Sequence, residues 1–596
     1  MRAPTNLFQQ IVVFVLSACV WIPLNQASVA ATNPPLAFVH VNVIPMNHDE
    51  VLEDQTVIVR DGKIAEIGPS ATVHVPRGTR HIESKGKYLI PGLTDAHVHL
   101  QTPTEFPLFL ANGVTTVFNL DGRPAHLLWR KQIADGDLLG PTIFTTGPIF
   151  GQAHTGEQAV HMVDEQASLG YDGVKIYNQV SKAEYSSLIA EAKRKGMLLM
   201  GHIAREPDFE LTLASGQSIA HLEEFTYTYF NPQHDAINSH IVYDEARIPG
   251  AVQLTAQSGV SVIPTLSTYA TIVEQATSLD NYLKRPDLKY DPPWIFASLQ
   301  PAANRYKNGF KPEFYPRIRS SLALQRKLLK ALEDAGVPIM AGTDASDVGP
   351  VAGFGLHDEL QEYVNDGFTP FQALQTATVN PARYFRRSQE FGTIEPGKRA
   401  DLVLLEQNPL ADISNTRKIA GVSVRGRWLD HNELAALMED VPAAYPRQIK
   451  QLQHELEANP AQAQRYLDDN DPLDNLSATA LSGLAAEQGA TKLRLVVLNI
   501  RRSDPKSALV SEEKINGLGY TLLNLKKYPE AIAVFRMNTE DFPQSANTYD
   551  SYAEALFDSG DVAKAVANYR KALEVDPKYP GAAGAQEFLA KHGNDQ

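Results

Sequence analysis

The sequence predicts an α/β protein built on a (β/α)8 TIM-like barrel, with a composite β-sandwich from both flanks of the barrel and all-α repeats at the C-terminus. Three observations lead to this prediction. Short apolar runs alternate with helical patterns through the middle of the chain. Segments rich in β-branched residues and turn signals flank that block on both sides, and the last part of the chain repeats with a period of 34 residues.

Composition limits the classes of protein and of ligand. The chain has 596 residues, of which 43% are hydrophobic and 21% are charged, so it suits several globular domains and excludes wholesale disorder, collagen and coiled coil. Lys and Arg number 54 against 69 Asp and Glu, a net charge of −15, with no basic cluster. We therefore expect no nucleic-acid partner and favour a small-molecule ligand.

Residues 1–30 have the three-part pattern of a secretory signal peptide. Arg2 precedes an apolar stretch at 11–24, and the small residues Ser28 and Ala30 suit a cleavage site. A membrane anchor is the alternative, but the apolar run is shorter than the roughly 18 residues that cross a bilayer. The pattern predicts an exported protein, periplasmic or secreted.

The single cysteine, Cys19, lies inside this leader. Residues 16–19 resemble a bacterial lipobox, so a lipoprotein attached through Cys19 is the alternative to the cleaved signal. No cysteine remains after the leader, and any metal site must therefore use His, Asp, Glu or Lys.

The composite β-sandwich is predicted over residues 36–90 and 391–435. In the first segment Asp61-Gly62 separates two alternating runs, which is a hairpin signal. Similar β-rich runs return at 392–405 and 421–428. Because two segments far apart in sequence flank one central block, we expect them to form a single sheet domain.

The barrel is predicted over residues 91–390, with its first strand beginning slightly earlier. The eight strand candidates are residues 88–96, 114–119, 142–146, 173–177, 198–202, 218–221, 260–264 and 337–343. Active sites of such barrels lie at the C-terminal ends of the strands.

A helical domain is predicted over residues 440–596. The repeat of period 34 relates Leu518, Ala531, Phe535 and Pro543 to Tyr552, Ala565, Tyr569 and Pro577. This spacing is typical of tetratricopeptide helix pairs, which usually present a concave face to a protein or peptide partner. We expect these repeats to form their own unit and to leave catalysis on small substrates to the barrel.

Five strand-end residues are candidate metal ligands. The period-2 spacing of His97 and His99 sends both imidazoles to one side of the first barrel strand. His202, His221 and Asp344 each follow a different predicted strand. Each alone is more often a hydrogen-bonded structural residue, but barrel geometry brings all of them to the catalytic rim, which favours a metal site.

Three motifs together resemble the amidohydrolase superfamily. They are LIPGLTDAHVH at 89–99, AGTD at 341–344 and GTIEPGKRADLV at 392–403. The resemblance covers about residues 36–430 and is strongest to the metal-dependent prolidase and imidazolonepropionase-like branch. It implies a distorted (β/α)8 barrel with a composite β-sandwich.

The resemblance also implies a binuclear centre. Many such enzymes carry a lysine at the position of Lys175 that bridges two metals as its carbamate, whereas a lysine considered alone is usually a solvated surface charge. Zinc is the first expectation, with manganese, cobalt and iron left open. One ion would be held by His97, His99 and Asp344, the other by His202 and His221, with the Lys175 carbamate between them.

This centre predicts hydrolysis of amide C–N bonds. A metal-bridging hydroxide would attack the carbonyl, with Asp344 as general base. We expect dipeptides of Xaa-Pro type or N-acyl amino acids as substrates. The alternatives are a cyclic amide or imide hydrolase of the imidazolonepropionase type and a non-catalytic interaction protein acting through its helical repeats.

Substrate contacts are predicted at His154, Tyr227 and Tyr229, which follow the third and sixth strands and could donate to a carbonyl or carboxylate. The alternative is a loop histidine and two core-packing aromatics. The long segment 282–317 is either a lid or a structural insertion. We also expect a homo-oligomer.

Overall fold

The computed structural model describes residues 34–151, 154–231, 243–347 and 349–593. The predicted signal peptide, with Cys19, lies outside the described residues. No helix in the described part of the chain is long and apolar enough to cross a membrane.

The strands fall into a first group before residue 92, a barrel group, and a last group after residue 401. In chain order they are β1 Leu36–Val43, β2 Leu52–Arg60, β3 Lys63–Pro69, β4 Arg80–Glu83, β5 Tyr88–Pro91, β6 Leu93–Val98, β7 Val114–Asn119, β8 Thr142–Thr145, β9 Gly173–Ile176, β10 Leu198–Gly201, β11 Ser218–Ala220, β12 Val262–Ile263, β13 Leu402–Leu405, β14 Ile419–Val424 and β15 Arg427–Asp430.

The α-helices of the barrel region alternate with these strands. They are α1 Phe106–Ala111, α2 Pro124–Asp135, α3 Gly156–Leu169, α4 Lys182–Arg194, α5 Asp208–Ala214, α6 Glu223–Tyr227, α7 Ile248–Ser258, α8 Leu266–Tyr282, α9 Pro293–Ser298, α10 Arg305–Gly309, α11 Tyr315–Asp334, α12 Phe354–Asn365, α13 Pro370–Thr376 and α14 Val379–Tyr384.

The C-terminal region is helical. Its helices are α15 His431–Ala458, α16 Pro460–Asn470, α17 Asn475–Gln488, α18 Ala490–Ser503, α19 Glu512–Asn524, α20 Tyr528–Asp541, α21 Ala546–Asp558, α22 Val562–Val575 and α23 Ala582–His592. Short 3-10 helices occur at Pro103–Glu105, Glu245–Arg247, Pro286–Tyr290, Pro312–Phe314, Ile413–Arg417 and Ala508–Val510.

The two flanks of the barrel form one eight-stranded sheet. Its order is β15-β14-β13-β5-β1-β2-β3, and β4 pairs with β1. The antiparallel pair β5–β13 joins the two flanks, with Leu402 opposite Pro91. The predicted hairpin is present, since Asp61 and Gly62 both have positive φ, 51° and 74°, between the paired residues Arg60 and Lys63.

The strand predicted at 88–96 is two strands, which corrects the sequence interpretation. β5 belongs to the flanking sheet and β6 to the barrel, and Gly92 separates them. The Gly92 N–H donates to the Asp401 carbonyl oxygen at 2.8 Å, and a Cβ on Gly92 would lie 2.0 Å from Thr115 Oγ1. The apolar pattern continues across Gly92, but the pairing partners change there.

The barrel closes through irregular backbone at three places. β6-β7-β8 and β9-β10-β11-β12 form two parallel sheets, joined by a bridge between Thr146 and Gly173. The predicted strand 337–343 is irregular: it is held by a bridge from Ile339 to Val262, while Ala96 N–H donates to the Ala341 carbonyl oxygen at 2.8 Å. These contacts complete a ring of eight and confirm the predicted barrel class.

The helical domain is joined to the barrel by one continuous helix. α15 crosses the predicted boundary at residue 440 without a linker. Its Val441 and Tyr445 belong to the barrel core, whereas Leu452 and Leu456 belong to the core of the following helices. The predicted boundary at residue 440 therefore falls inside a helix that contributes to both cores, and the helices after it have a hydrophobic core of their own.

Substitution of Tyr445 tests how much this joint stabilises the barrel. Tyr445 is 1% exposed, and removal of a buried aromatic ring costs about 3 to 5 kcal/mol. We expect Tyr445→Ala to lower the free energy of unfolding by at least about 3 kcal/mol, measured by urea denaturation. Leu525→Ala, which removes a side chain on a residue that is 53% exposed, is the control and should change it by less than about 0.5 kcal/mol. Equal effects of the two substitutions would show that the packing of Tyr445 in the barrel core does not stabilise the protein.

Candidate metal centre

The histidine pair and Asp344 meet at the end of β6. The rings of His97 and His99 lie 5.3 Å apart between centroids. The Nε2 atoms of His97 and His99 lie 3.1 and 2.9 Å from Asp344 Oδ1. One ligand atom from each of the three residues lies within 4.8 Å of the others, so this group could hold a metal ion.

Lys175, His202 and His221 adjoin that group. Lys175 is on β9, and His202 and His221 directly follow β10 and β11. Lys175 Nζ lies 3.4 Å from His97 Nε2, and the His221 ring lies 4.7 Å from the rings of both His97 and His202. The structure thus brings all six predicted ligands into one cluster, and their assignment as ligands stays a prediction.

The donor atoms of the first group suit a divalent cation. Asp344 Oδ1 is buried and has no hydrogen-bond partner among the described residues, although two imidazole nitrogens lie within 3.1 Å of it. Two imidazole nitrogens and a carboxylate oxygen are ligands that Zn²⁺ and related cations accept. A metal ion at this place would bind the carboxylate oxygen together with the two imidazole nitrogens that lie beside it.

Two further histidines are oriented by neighbours that the sequence analysis missed. Glu224 Oε1 lies 3.0 Å from His202 Nδ1, and Thr265 Oγ1 lies 2.8 Å from His221 Nδ1. Each contact leaves Nε2 as the nitrogen available to a metal, which is the usual arrangement of metal-bound histidine. Glu224 is itself fixed, because its Oε2 accepts hydrogen bonds from Ile203 N at 3.2 Å and Arg205 Nη1 at 2.9 Å.

Asp95 connects the two segments that carry the first ligands. Its carboxylate accepts hydrogen bonds from His97 N at 3.2 Å, Thr343 N at 3.1 Å and Thr343 Oγ1 at 2.7 Å. Burial raises the pKa of Asp95 to about 7. Its position two residues before His97, on the same side of β6, was an available signal that sequence reasoning did not use.

Burial sets the protonation of the cluster. It lowers the pKa of His97 to about 3 and that of Lys175 to about 8. Burial alone would raise the pKa of Asp344, but the neighbouring His97 and His221 outweigh it and hold that pKa well below its usual range. A neutral imidazole and an ionised carboxylate are the forms that bind metal.

Two of these residues have left-handed backbone conformations. The φ of His221 is 72° and that of Asp344 is 57°. Such a conformation costs a residue other than glycine about 1 to 3 kcal/mol and is most often found at functional sites. Here the two residues stand where β11 and the irregular strand 337–343 end, and both side chains lie in the cluster.

The cluster borders a cavity of about 710 Å³. His99, Lys175, His202, His221 and Asp344 line it. The rest of the wall comes from segments after the barrel strands and from the helical domain, including Tyr177, Glu223, Tyr269, Trp294, Arg305, Tyr306, Leu473 and Asn475. The segment 282–317 therefore supplies cavity wall.

The three predicted substrate contacts lie elsewhere. His154, Tyr227 and Tyr229 are not among the residues that line this cavity in the described part of the chain. The Tyr229 ring packs 5.0 Å from that of Phe209 and 4.5 Å from the Arg247 guanidinium, so these contacts agree with the packing alternative, and its role as a substrate contact stays a prediction. The Tyr227 ring likewise lies against an arginine, and burial raises its pKa well above the usual value.

Comparison with known proteins places this site in a family. Residues 88–429 match the model of the Amidohydrolase family. The chain belongs to this family. Residues 546–579, which contain α21 and α22, match a tetratricopeptide repeat model. Both matches confirm the resemblance and the repeats that the sequence indicated.

The chain is similar to two curated relatives and to a solved structure. It is 24% identical to an adenine deaminase of Paracoccus denitrificans over 381 residues, covering 60% of this chain and 52% of that one, so it spans about half of that relative's length. It is 23% identical to the ochratoxinase of Aspergillus niger over 413 residues, covering 63% and 82%. A putative prolidase from Bifidobacterium longum shares its fold, with a TM-score of 0.52, 23% identity and coverage of 69% and 99%.

Removal of the Glu224 charge tests the role of this residue in orienting His202. Loss of a partner behind a metal-binding histidine costs about 10- to 100-fold in metal affinity. We expect Glu224→Gln to weaken Zn²⁺ binding to metal-depleted protein by this factor, measured by competition with a chelating dye. Glu210→Gln, at an exposed position of α5, is the control. Unchanged affinity in the folded Glu224→Gln protein would show that His202 does not need this carboxylate.

Proposed function

We propose that this protein is a binuclear metal-dependent hydrolase that cleaves amide C–N bonds of dipeptides or N-acyl amino acids. The observation that carries the proposal is the single cluster of six ligand-type residues beside a cavity of about 710 Å³. Membership of the Amidohydrolase family supports it.

Two divalent ions, first expected to be zinc, would be held by the residues of this cluster. One is assigned to the group around Asp344, the second to the two histidines after β10 and β11, with Lys175 between them. The ions supply Lewis-acid activation of a water molecule and of the scissile carbonyl. The residues of the chain then determine orientation and proton movement.

Lys175 is suited to become a carbamate. The side chain is 1% exposed, and burial lowers its pKa to about 8, which makes the free amine accessible near neutral pH. A free amine attacks dissolved CO₂, an N–C bond forms, and one proton is released. The product is an oxygen anion, a ligand that two cations accept and that an ammonium group cannot replace.

Asp344 is proposed as the general base. The adjacent histidines keep its carboxyl ionised, and it lines the cavity together with His99. It can accept a proton from the attacking water and deliver it to the leaving nitrogen, so that amide and water become a carboxylic acid and an amine.

A cationic side chain in the cavity favours substrates with a free carboxylate. Arg305 lines the wall beside Tyr306, and its Nη2 lies 3.8 Å from Oδ2 of Asp347, which is at an exposed position. An arginine can bind a carboxylate through two parallel hydrogen bonds. Dipeptides and N-acyl amino acids both carry such a group.

A second candidate is the hydrolysis of a cyclic amide or of an amino-substituted heterocycle. The similarity to adenine deaminases favours it. Adenine and simple cyclic imides lack the carboxylate that Arg305 would bind, so we rank this reaction second.

A substrate library distinguishes the two. Metal-reconstituted protein is incubated with dipeptides, N-acyl amino acids, cyclic imides and adenine, and released amine or ammonia is measured. Turnover of the first two groups, reduced by Arg305→Ala mainly through a higher KM, is the expected result. Turnover of adenine or cyclic imides alone would overturn the proposed substrate class.

Asp344→Asn should separate metal binding from chemistry. The amide keeps an oxygen for the ion but cannot accept the proton, and loss of a general base costs about 10² to 10⁴ in rate. We expect kcat per metal-loaded enzyme to fall by this factor while KM changes modestly. A kcat near that of the unsubstituted protein would refute the role.

Lys175→Ala should lose metal and activity together, because the bridging anion is absent. We expect partial recovery of both in the presence of short-chain carboxylates, which can take the place of the carbamate. Metal content is measured by elemental analysis. Full metal content in the variant without added carboxylate would contradict the bridging role.

A further inference from the structure

The segment between α16 and α17 reaches the catalytic cavity from the helical domain. Leu473 and Asn475 line the same cavity as His99 and Asp344. These residues are far apart in the sequence and are brought together by the fold. Asn475 and Gln101, for example, are separated by 374 positions. The cavity wall is therefore completed by a domain whose repeats are usually assigned to partner binding.

The segment has a fixed shape. The buried Asp471 carboxylate accepts hydrogen bonds from Leu476 N at 2.9 Å and Ser477 N at 2.7 Å, which caps the start of α17. Asp474 has a φ of 62° and forms an ion pair of 2.9 Å with Lys514 of α19. The following helices thus hold the segment in place at the cavity.

Gln101 connects this segment to the metal cluster. Its Oε1 accepts hydrogen bonds from Asn475 Nδ2 at 2.7 Å and from Trp294 Nε1 at 3.3 Å. Its Nε2 donates to the Ser346 carbonyl oxygen at 3.3 Å. Gln101 follows His99 by two residues, and Ser346 follows Asp344 by two. One buried amide therefore joins both ligand-bearing segments to the helical domain.

Trp294 makes the same connection by packing. It lies against both the barrel core and the core of the helical domain, and its ring is 5.7 Å from that of Tyr445. Trp294, Ile295, Leu299 and Leu473 give the cavity an apolar surface next to the polar cluster. An apolar surface beside a hydrolytic centre selects for an apolar group on the substrate.

We infer that the helical domain determines substrate specificity: Leu473, held by the segment that Asn475 fixes to Gln101, forms with Trp294 a subsite for a large apolar acyl group or side chain. The inference rests on the proposed function for its link to turnover. It specifies the substrate class as amides whose acyl part is apolar and larger than acetyl. Binding of the acyl part can be measured without turnover, because the carboxylates that hydrolysis would release are themselves ligands.

The experiment compares acetate with octanoate on zinc-loaded, full-length protein by isothermal titration calorimetry. In the unsubstituted protein octanoate should bind at least tenfold more tightly than acetate, because each buried methylene adds to affinity. Leu473→Ala should weaken octanoate about tenfold and change acetate less than about twofold. Leu525→Ala, at the exposed position directly after α19, is the matched control and should change neither.

A parallel measurement uses kcat/KM for N-octanoyl and N-acetyl derivatives of one amino acid. Leu473→Ala should lower the value for the octanoyl substrate about tenfold, with unchanged zinc content and little effect on the acetyl substrate. Asn475→Ala should raise KM for the octanoyl substrate more than it lowers kcat, whereas Asn568→Ala, at an exposed position of α22, should have no effect.

The outcomes separate the two proposals. If the unsubstituted protein hydrolyses no amide but its octanoate affinity depends on Leu473, the proposed function fails and the subsite remains. If amides are hydrolysed but chain length does not affect affinity, or Leu473→Ala and Leu525→Ala behave alike, the inferred subsite is overturned. If Leu473→Ala loses zinc or does not fold, Leu473→Met is measured in its place. Methionine keeps an apolar side chain of similar volume, so this variant should preserve the preference for octanoate, and loss of that preference in the folded variant would contradict the subsite.

Discussion

The contact between the end of β6 and the segment 341–345 is the constraint on which the rest of the site depends. Asp95 accepts two hydrogen bonds from Thr343, and Asp344 N donates to the His97 carbonyl oxygen at 2.8 Å. The same contact closes the barrel and places the Asp344 carboxylate between the two imidazoles that follow Asp95. If it loosened, the ring of strands and the candidate ligand set would be lost together, so fold and site share one set of hydrogen bonds.

Much of this arrangement was predictable because it follows from periodicity and topology. The two-residue spacing of His97 and His99 directs both rings to one side of a strand, and parallel strands end at the same rim. Lys175 was expected only from the family resemblance, but His202 and His221 follow by the same reasoning once the strand candidates are correct. These arguments need only local sequence and barrel geometry, and the structure places all of these residues in one cluster.

Other features depend on contacts that no local pattern contains. The pattern of residues 88–96 is continuous, yet the chain changes sheets at Gly92 because Thr115 and Asp401 occupy the space around it. Glu224 and Thr265 orient histidines that lie 22 and 44 positions away from them in sequence. The repeat period indicated helix pairs correctly, but it could not show that α15 continues from the barrel core into the helical core. That contact depends on Tyr445, which is buried in the barrel core, and on Trp294, which is partly buried and packs against both cores.

Charge gives a further reason for the choice of residues in the cluster. Among the six candidate ligands Asp344 is the only carboxylate. Burial lowers the pKa of His97, His202 and His221, which favours their neutral forms, whereas the neighbouring Asp344 raises the pKa of His99. The two divalent ions of the proposed centre would bring four positive charges into a buried site, and an ammonium at Lys175 would add a fifth. The proposed conversion of Lys175 to a carbamate would change the local charge by two units in the direction that the ions need, and Glu224 places a further negative charge behind His202. The burial that makes an ammonium unfavourable at this position is therefore the same feature that suits it to hold an anion between two cations.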